Sequence, residues 1–154
     1  MAKKRDQIKM SDAEVAEFLG SERVANVSTN GADGWPHVTA LWFVMRDSDP
    51  WIWTYRKSQK VKNLERDDHA TLLVESGFEY AELRGVMLRT HARIEYDTER
   101  VLDFGEELFA KYQGASAGDE LREALRVQAA KRVAIRFEVV DIVTWDHAKL
   151  GGAY

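Results

Sequence analysis

The sequence predicts a small, mainly antiparallel β-barrel with peripheral helices. Three observations indicate this fold class: about six segments have strand character, two of these switch their apolar alternation midway, and the helical segments do not alternate with strands. With 154 residues, of which 45% are hydrophobic, the chain can bury a sizeable core. We therefore expect residues 1–154 to form a single domain.

The elements follow one another in a simple order. A helix over SDAEVAEFLG, capped by Ser11 or Asp12, precedes a first strand, RVANVSTN, and a hairpin-type turn, GADG. The remaining predicted strands are HVTALWFVM, WIWTY, HATLLVES, YAELRGVMLRTHARI and a final strand from Val133 to Ile142. One helix is predicted to begin at Ser58. Two more helices, TERVLDFGEELFAKYQ and ELREALRVQAAKR, precede the last strand.

Two strands change the side on which their apolar residues fall. In YAELRGVMLRTHARI the switch is at Gly85, and in the last strand it lies between Val139 and Val140. A β-bulge at each place would bend the strand, as barrel corners require. The strand HVTALWFVM is apolar on both alternating sides, which is typical of a strand covered on both faces or of one whose second face meets a partner.

Composition narrows the classes of function. No apolar run is long enough to span a bilayer, and the N-terminus MAKKRDQIKM lacks a signal-peptide core. The chain has no cysteine, which excludes disulfides and thiolate chemistry. Its net charge of −4 argues against general nucleic-acid binding. We expect a cytoplasmic protein without a membrane or nucleic-acid partner.

The stretch TYRKSQKVKNLERDD has its charges in the wrong order for a helix. Bases come first and acids last, although a helix N-terminus carries partial positive charge. A phosphate bound near Lys60 would resolve this conflict, because free backbone N–H groups and ammonium groups would converge on it. The alternative is an ordinary solvated basic surface.

Aromatic residues lie on the strands that lead into this helix. Trp42, Trp53 and Tyr55 could form the apolar wall of a site for a flat heteroaromatic ligand that carries a phosphate. Without that ligand, they would be core residues.

Catalytic motifs are scarce. The four histidines lie in separate elements without a metal-ligand spacing, and the sequence contains no GxSxG, P-loop or GxGxxG motif. We therefore expect no metal site and identify no catalytic side chain. Asp146-His147 could orient a substrate or form a pair at the rim of the site. A protein with so few acid–base groups would let a cofactor carry the chemistry.

The segment from about Pro36 to Val74, with YRKSQKVKNLERDDHATLLV, resembles the flavin-binding core of the pyridoxamine-phosphate-oxidase-like, FMN-binding split β-barrel superfamily. The closing VTWDHAKLGGAY resembles its flavin- and deazaflavin-dependent oxidoreductases. The resemblance implies a split β-barrel homodimer with two cofactor sites at the interface. Where pyridoxamine-phosphate oxidases tend to have arginine and glutamine, this chain has Gln59 and Gly85, so oxidation of pyridoxamine phosphate is not expected.

The resemblance also implies cofactor-binding residues. The strand from Val38 to Phe43 would lie along the ring and ribityl chain, with backbone groups of Thr39 to Leu41 positioning the ring. Lys60 would hold the phosphate with Lys57 and Gln59. The complete expected set is Val38, Thr39, Ala40, Leu41, Trp42, Trp53, Thr54, Lys57, Gln59, Lys60 and, from the partner chain, Trp145, His147 and Lys149.

The excess of bases favours coenzyme F420, which has a phosphate and an oligoglutamate tail, over FMN. We expect an oxidoreductase that transfers a hydride between coenzyme F420 and a small organic substrate. The alternatives are an FMN-dependent oxidase or reductase of the same fold and a non-catalytic protein that binds or sequesters a flavin or a haem.

Overall fold

Six antiparallel strands form a closed barrel in the order β1-β2-β3-β6-β5-β4, which confirms the predicted fold class. This arrangement comes from a computed structural model that describes residues 3–114 and 118–152. The strands are β1 (Val24–Asn30), β2 (Pro36–Arg46), β3 (Asp49–Tyr55), β4 (His69–Ser76), β5 (Arg84–Glu95) and β6 (Arg132–Asp146).

The helices lie around the barrel as predicted. They are α1 (Lys4–Gln7), α2 (Asp12–Ser21), α3 (Gln59–Arg66), α4 (Thr98–Gln113) and α5 (Asp119–Ala129), with short 3₁₀ turns at Tyr80–Glu82 and His147–Leu150. Ser11 caps α2 through a capping box with Glu14, which explains why that helix begins where the sequence indicates. Within the described ranges, no helix combines the length and the apolar character needed to cross a membrane.

Apolar side chains form two cores. The first fills the barrel, where Phe43, Leu72 and Phe137 are among the fully buried side chains. The second lies between the outer face of the barrel and the helices α4 and α5, and includes Trp53 and Phe104. The helices therefore cover part of the outer barrel surface, and side chains of β3 that point out of the barrel are nevertheless buried.

One of the two predicted bulges is present and the other is not. Arg89 pairs with Asp141 and Thr90 pairs with Val139, so Val140 is the extra residue on β6, as its switch in alternation predicted. The predicted bulge at Gly85 is wrong, because Gly85 pairs regularly with Glu75 and with Trp145. A Cβ atom at Gly85 would lie 2.1 Å from Cζ2 of Trp145. Close packing of that indole requires glycine here, whereas the preceding Tyr80–Glu82 segment is a 3₁₀ turn and not part of the strand.

Candidate functional site

A gap between β2 and β3 opens the barrel wall. β2 pairs with β1 from Pro36 to Trp42, but it pairs with β3 only from Phe43 to Arg46. β3 continues past Ile52 without pairing to β2, while its other edge pairs with β6 from Trp51 to Tyr55. Among the pairings of the described residues, the second edge of β2 from Pro36 to Trp42 has no partner strand. Backbone N–H and C=O groups on this edge are available to a ligand.

A cavity of about 250 Å³ lies along the gap. Four residues predicted for the cofactor site line it together. The full lining consists of Ala40, Leu41, Trp42, Trp53, Leu108, Phe109, Gln128 and Arg132. The helices α4 and α5 thus supply one wall of the site, although none of the residues predicted to bind the cofactor lies on them.

The two tryptophans differ in their surroundings. Trp42 is 43% exposed and its ring stacks on Tyr112, with centroids 4.4 Å apart and planes within 7° of parallel. Trp53 is only 6% exposed and meets Phe109 edge to face at 6.2 Å. A Cβ atom at Gly105 would lie 2.9 Å from the Trp53 ring, so glycine lets α4 approach this indole. Trp53 is a fixed wall, and Trp42 is the ring that a ligand can reach.

Lys60 carries an ammonium group into the protein interior. The residue is 7% exposed, and its Nζ donates a hydrogen bond of 3.0 Å to Oγ1 of Thr54. Burial lowers the pKa of Lys60, and within the described part of the chain no carboxylate forms an ion pair with it. Thr54 and Lys60, both predicted for the cofactor site, are in direct contact. Burying a charge without an opposite charge is costly, so this arrangement calls for an anion.

The N-terminus of α3 has the features of an anion site. Ser58 occupies the N-cap position, yet its side chain makes no capping hydrogen bond and its Oγ is buried without a partner. The first turn of α3 contains no acidic residue. Free N–H groups of that turn, the Ser58 hydroxyl and the Lys60 ammonium are therefore available to a phosphate.

Four bases lie at the front of the reversed-charge stretch, and the three other than Lys60 have different positions. Arg56 donates to the backbone oxygen of Tyr96 at 3.0 Å and lies over that ring. Lys57 and Lys62 are exposed. Of the four cations that motivated the phosphate prediction, only Lys60 is buried.

Arg132 is the principal residue that sequence reasoning missed. Its guanidinium carbon lies 4.2 Å from the ring centroid of Tyr55 and 4.6 Å from that of Trp53. Its Nε atom is buried and has no hydrogen-bond partner. The sequence signal was hidden because Arg132 ends a run that reads as helix, whereas in the structure it begins β6 and pairs with Tyr55.

A second cavity of about 360 Å³ continues past the open edge of β2. Its lining includes His37 from β2 and Gln59 and Asn63 from α3. Nε2 of Gln59 donates to Oδ1 of Asn63 at 2.9 Å, so the predicted Gln59 faces this cavity with a fixed amide. Of the other β2 positions in the prediction, Val38 points outward and is exposed, whereas Thr39 is half-buried.

Five buried side-chain polar atoms lack hydrogen-bond partners among the described residues. They are His37 Nδ1, Thr39 Oγ1, Trp53 Nε1, Ser58 Oγ and Arg132 Nε. All five belong to β2, β3, the N-terminus of α3 or the start of β6, which border the gap and the adjoining cavity. Native proteins leave few buried polar groups unsatisfied. A polar, anionic, aromatic cofactor therefore fits the residues present.

The predicted C-terminal contacts lie elsewhere in the chain. Trp145 packs on Gly85 near the opposite end of β6 from Arg132. Nδ1 of His147 is 2.9 Å from the backbone oxygen of Tyr80, and the Lys149 ammonium is 2.6 Å from the Glu14 carboxylate. Within one chain these residues do not join Lys60, and their assignment to a partner's site stays a prediction. Ala153 and Tyr154 of the closing motif lie outside the described residues.

Comparisons with known proteins agree with this fold. Rv2991, a conserved hypothetical protein from Mycobacterium tuberculosis, is 37% identical over 99% of this chain and 95% of its own, with a TM-score of 0.90. An F420 reductase is 20% identical over 82% of this chain and 93% of its own, with a TM-score of 0.65. A FAD-binding protein from Mesorhizobium loti is 15% identical over 88% of this chain and 94% of its own, with a TM-score of 0.67.

A search of curated protein sequences gave no match to this chain. The sequence model that describes pyridoxamine 5'-phosphate oxidase matches residues 11–146, which span all six strands of the barrel. The resemblance inferred from the Pro36–Val74 segment is thereby confirmed. The chain belongs to the pyridoxamine 5'-phosphate oxidase family of split β-barrels.

Proposed function

We propose that this protein binds coenzyme F420 in the gap between β2 and β3 and transfers a hydride between the deazaflavin and a small organic substrate. The observation that carries the proposal is the buried ammonium of Lys60, which has a hydroxyl partner but no carboxylate among the described residues. A phosphorylated cofactor supplies the missing negative charge.

The phosphate site would be formed by three kinds of donor. Lys60 provides the charge, Ser58 provides a hydroxyl, and the first turn of α3 provides backbone N–H groups. Lys57 is exposed at the entrance, and Gln59 lies in the adjoining cavity. These two residues would support the phosphate from the rim.

The ring would lie along the open edge of β2. Backbone groups of Thr39 to Leu41 on that edge can hydrogen-bond to a heteroaromatic ring, while Trp42 and Trp53 provide apolar surface. The bound deazaflavin supplies the hydride chemistry itself. The side chains of the gap orient it and exclude water, and this role requires no protein nucleophile.

Two observations bear on the choice between F420 and FMN. Lys57 and Arg132 remain available in addition to Lys60, which suits a cofactor with several negative charges. The fold also resembles that of an F420 reductase. Arg56, however, is held by Tyr96 and does not face the site, so the cationic excess is smaller than the sequence suggests. The alternative is therefore an FMN-dependent oxidase or reductase.

A second copy of the chain would complete the site. The outward-facing Val38 and Trp42 of β2 and Val140 and Ile142 of β6 are large, exposed and apolar, and such side chains are typical of protein interfaces. In a homodimer, Trp145, His147 and Lys149 of the second copy could reach a site that they cannot reach in their own chain.

Titration of the purified protein with F420 and with FMN, followed by tryptophan fluorescence, tests the proposal. We expect saturable quenching by F420, weak quenching by FMN, and loss of binding in Lys60→Met. Lys62→Met is the matched control, because Lys62 lies on the same helix but is exposed. Binding of FMN alone would favour the flavin alternative. Equal binding by Lys60→Met and wild type would reject the phosphate site.

Binding without turnover would indicate a sequestering protein. The reduced coenzyme is therefore mixed with small ketone, enone and nitro compounds, and its reoxidation is followed by absorbance.

The homodimer is tested separately by light scattering and by mixing Lys60→Met with Trp145→Ala chains. If each site contains Lys60 of one copy and Trp145 of the other, a mixed dimer has one site with both native residues and one site with neither. The mixture of the two variants then binds cofactor.

A further inference from the structure

A pair of histidines lies across the β4–β5 ladder, away from the cofactor gap. His69 at the start of β4 is directly opposite His91 of β5. Their ring centroids are 4.7 Å apart, with a tilt of 56° between the planes. The sequence separation of the two residues hides this pair from any motif search, because only strand register brings them together.

Each histidine has its own carboxylate. Nδ1 of His69 is 2.6 Å from Oδ1 of Asp67, and Nδ1 of His91 is 2.9 Å from Oδ1 of Asp68. An ionised carboxylate can only accept a hydrogen bond, so in both neutral rings Nδ1 must carry the proton. Both Nε2 atoms then have a free lone pair. Histidines that bind metals are oriented in this way, with the other ring nitrogen donating to a carboxylate.

Space for an ion lies beside the pair. Both rings line a cavity of about 250 Å³, together with the polar residues Ser28, Asn30, Thr71 and Thr90 and with Arg89, which forms an ion pair with Asp141. Asp68, His69 and His91 each offer a ligand atom within 4.8 Å of the others. Two nitrogens bound to one zinc ion at about 2.0–2.1 Å are roughly 3.3 Å apart in tetrahedral geometry. Because the ring centroids are 4.7 Å apart, small rotations of the two rings can bring their Nε2 atoms to that distance.

Arg93 offsets part of the negative charge of the carboxylates beside the pair. Arg93 donates to Oδ2 of Asp68 at 2.9 Å and to Glu138 at 2.8 Å. The Arg93 contact occupies Oδ2 of Asp68, while Oδ1 accepts the hydrogen bond from His91. With both oxygens engaged, Asp68 is better suited to orient the His91 ring than to bind the metal directly. Among the described residues, Asp67 forms no ion pair with an arginine or a lysine, and its carboxylate retains its negative charge near His69.

We propose that His69 and His91 bind a divalent transition-metal ion through their Nε2 atoms, with Asp67 and Asp68 positioning the rings and water completing the coordination. Imidazole pairs prefer zinc, copper and nickel among biological metals. Copper(II) should bind most tightly according to the usual order of stability of divalent ions. The site is separate from the cofactor gap, since Lys60 lies in the first turn of α3 whereas Asp67 follows its last residue.

Binding of zinc and copper to the tag-free protein provides the test. Calorimetry with Zn²⁺ should give one saturable site per chain, and the copper(II) electron paramagnetic resonance spectrum should show nitrogen ligands. We expect His69→Gln and His91→Gln each to weaken binding at least about tenfold, and Asp68→Asn by about 10–100-fold. His147→Gln is the matched control, because the chain has four histidines and this one lies outside the pair.

A measurement on the wild-type protein avoids reliance on variants that could misfold. In nitrogen-15 spectra of the imidazole side chains, Zn²⁺ should shift Nε2 of His69 and His91 and leave His37 and His147 unchanged. Absence of saturable zinc binding, or shifts at histidines other than this pair, would overturn the proposal. Binding that survives in the His69→Gln/His91→Gln double variant would also overturn it.

Discussion

The ammonium nitrogen of Lys60 lies 3.0 Å from the hydroxyl oxygen of Thr54, and this hydroxyl is the partner that the described residues provide for it. A buried cation with so little compensation lowers the stability of the ligand-free protein. The same cation gives an incoming phosphate a desolvated positive charge, which strengthens the interaction. Stability and cofactor affinity should therefore respond in opposite directions to changes at this residue.

Lys60→Met tests this opposition. We expect the free energy of unfolding of the ligand-free protein to rise by about 1 kcal/mol, because an apolar side chain of similar length replaces a desolvated charge. Cofactor binding should be lost in the same variant. Urea unfolding and fluorescence titration measure the two effects. Lys62→Met, which changes an exposed lysine of α3, should alter neither by much. A destabilised Lys60→Met protein would show that the ammonium has a stabilising partner.

The pH dependence of stability provides an independent test of the same burial. Burial lowers the pKa of Lys60 below its usual value of 10.5 in the folded state. At pH values between the lowered pKa of the folded protein and the usual pKa of the unfolded chain, Lys60 is protonated more fully in the unfolded chain. In this range the free energy of unfolding therefore rises with pH. At pH values below the pKa of Lys60 in the folded protein, the ammonium is charged in both states, and the full cost of burying it is present at every pH. Urea unfolding of wild type and Lys60→Met from about pH 7 upward should show the variant's advantage shrinking as the pH approaches 10.5. A constant advantage would contradict the lowered pKa.

Local patterns were sufficient for most of the fold. Ala70, Leu72 and Val74 alternate along β4 and are buried, as a half-buried strand requires. Gly114 directly follows the predicted helix TERVLDFGEELFAKYQ and occupies the left-handed C-cap position at the end of α4. These features depend on neighbouring residues in the chain, so a single sequence contains the information.

Features that depend on strand register were out of reach. The gap beside β2 exists because β2 pairs with β3 only from Phe43 to Arg46, and no local pattern encodes where that pairing stops. The His69–His91 pair has the same origin, which is why the absence of a histidine motif was a weak argument against a metal site. Lys60 was found because a helix N-terminus gives a local charge signal, whereas Arg132 had none.

Arg132 should contribute to cofactor affinity through its unpartnered Nε. We expect Arg132→Lys to weaken cofactor binding by about tenfold, because lysine retains the charge but lacks the planar donor group that stacks on Tyr55 and Trp53. Lys131→Met changes the exposed neighbouring cation and serves as the control. Titration by fluorescence gives both affinities. If the two variants bind equally well, Arg132 has a structural role in holding Trp53 and no role in binding.

Gly85 and Trp145 should be energetically coupled. A Cβ atom at Gly85 would lie 2.1 Å from Cζ2 and 2.4 Å from Cε2 of Trp145, so Gly85→Ala must displace the indole. We expect this variant to lose about 1–3 kcal/mol of unfolding free energy, which is typical of overpacking.

Replacing the indole tests whether this contact is the cause. In a Trp145→Leu background the Gly85→Ala substitution should cost much less, because the smaller side chain leaves room for the methyl group. A double-mutant cycle measured by urea unfolding gives the coupling energy directly. Equal costs in the two backgrounds would show that Gly85 is required for backbone conformation, as the bulge predicted from the sequence would require, and not for the close approach of Trp145.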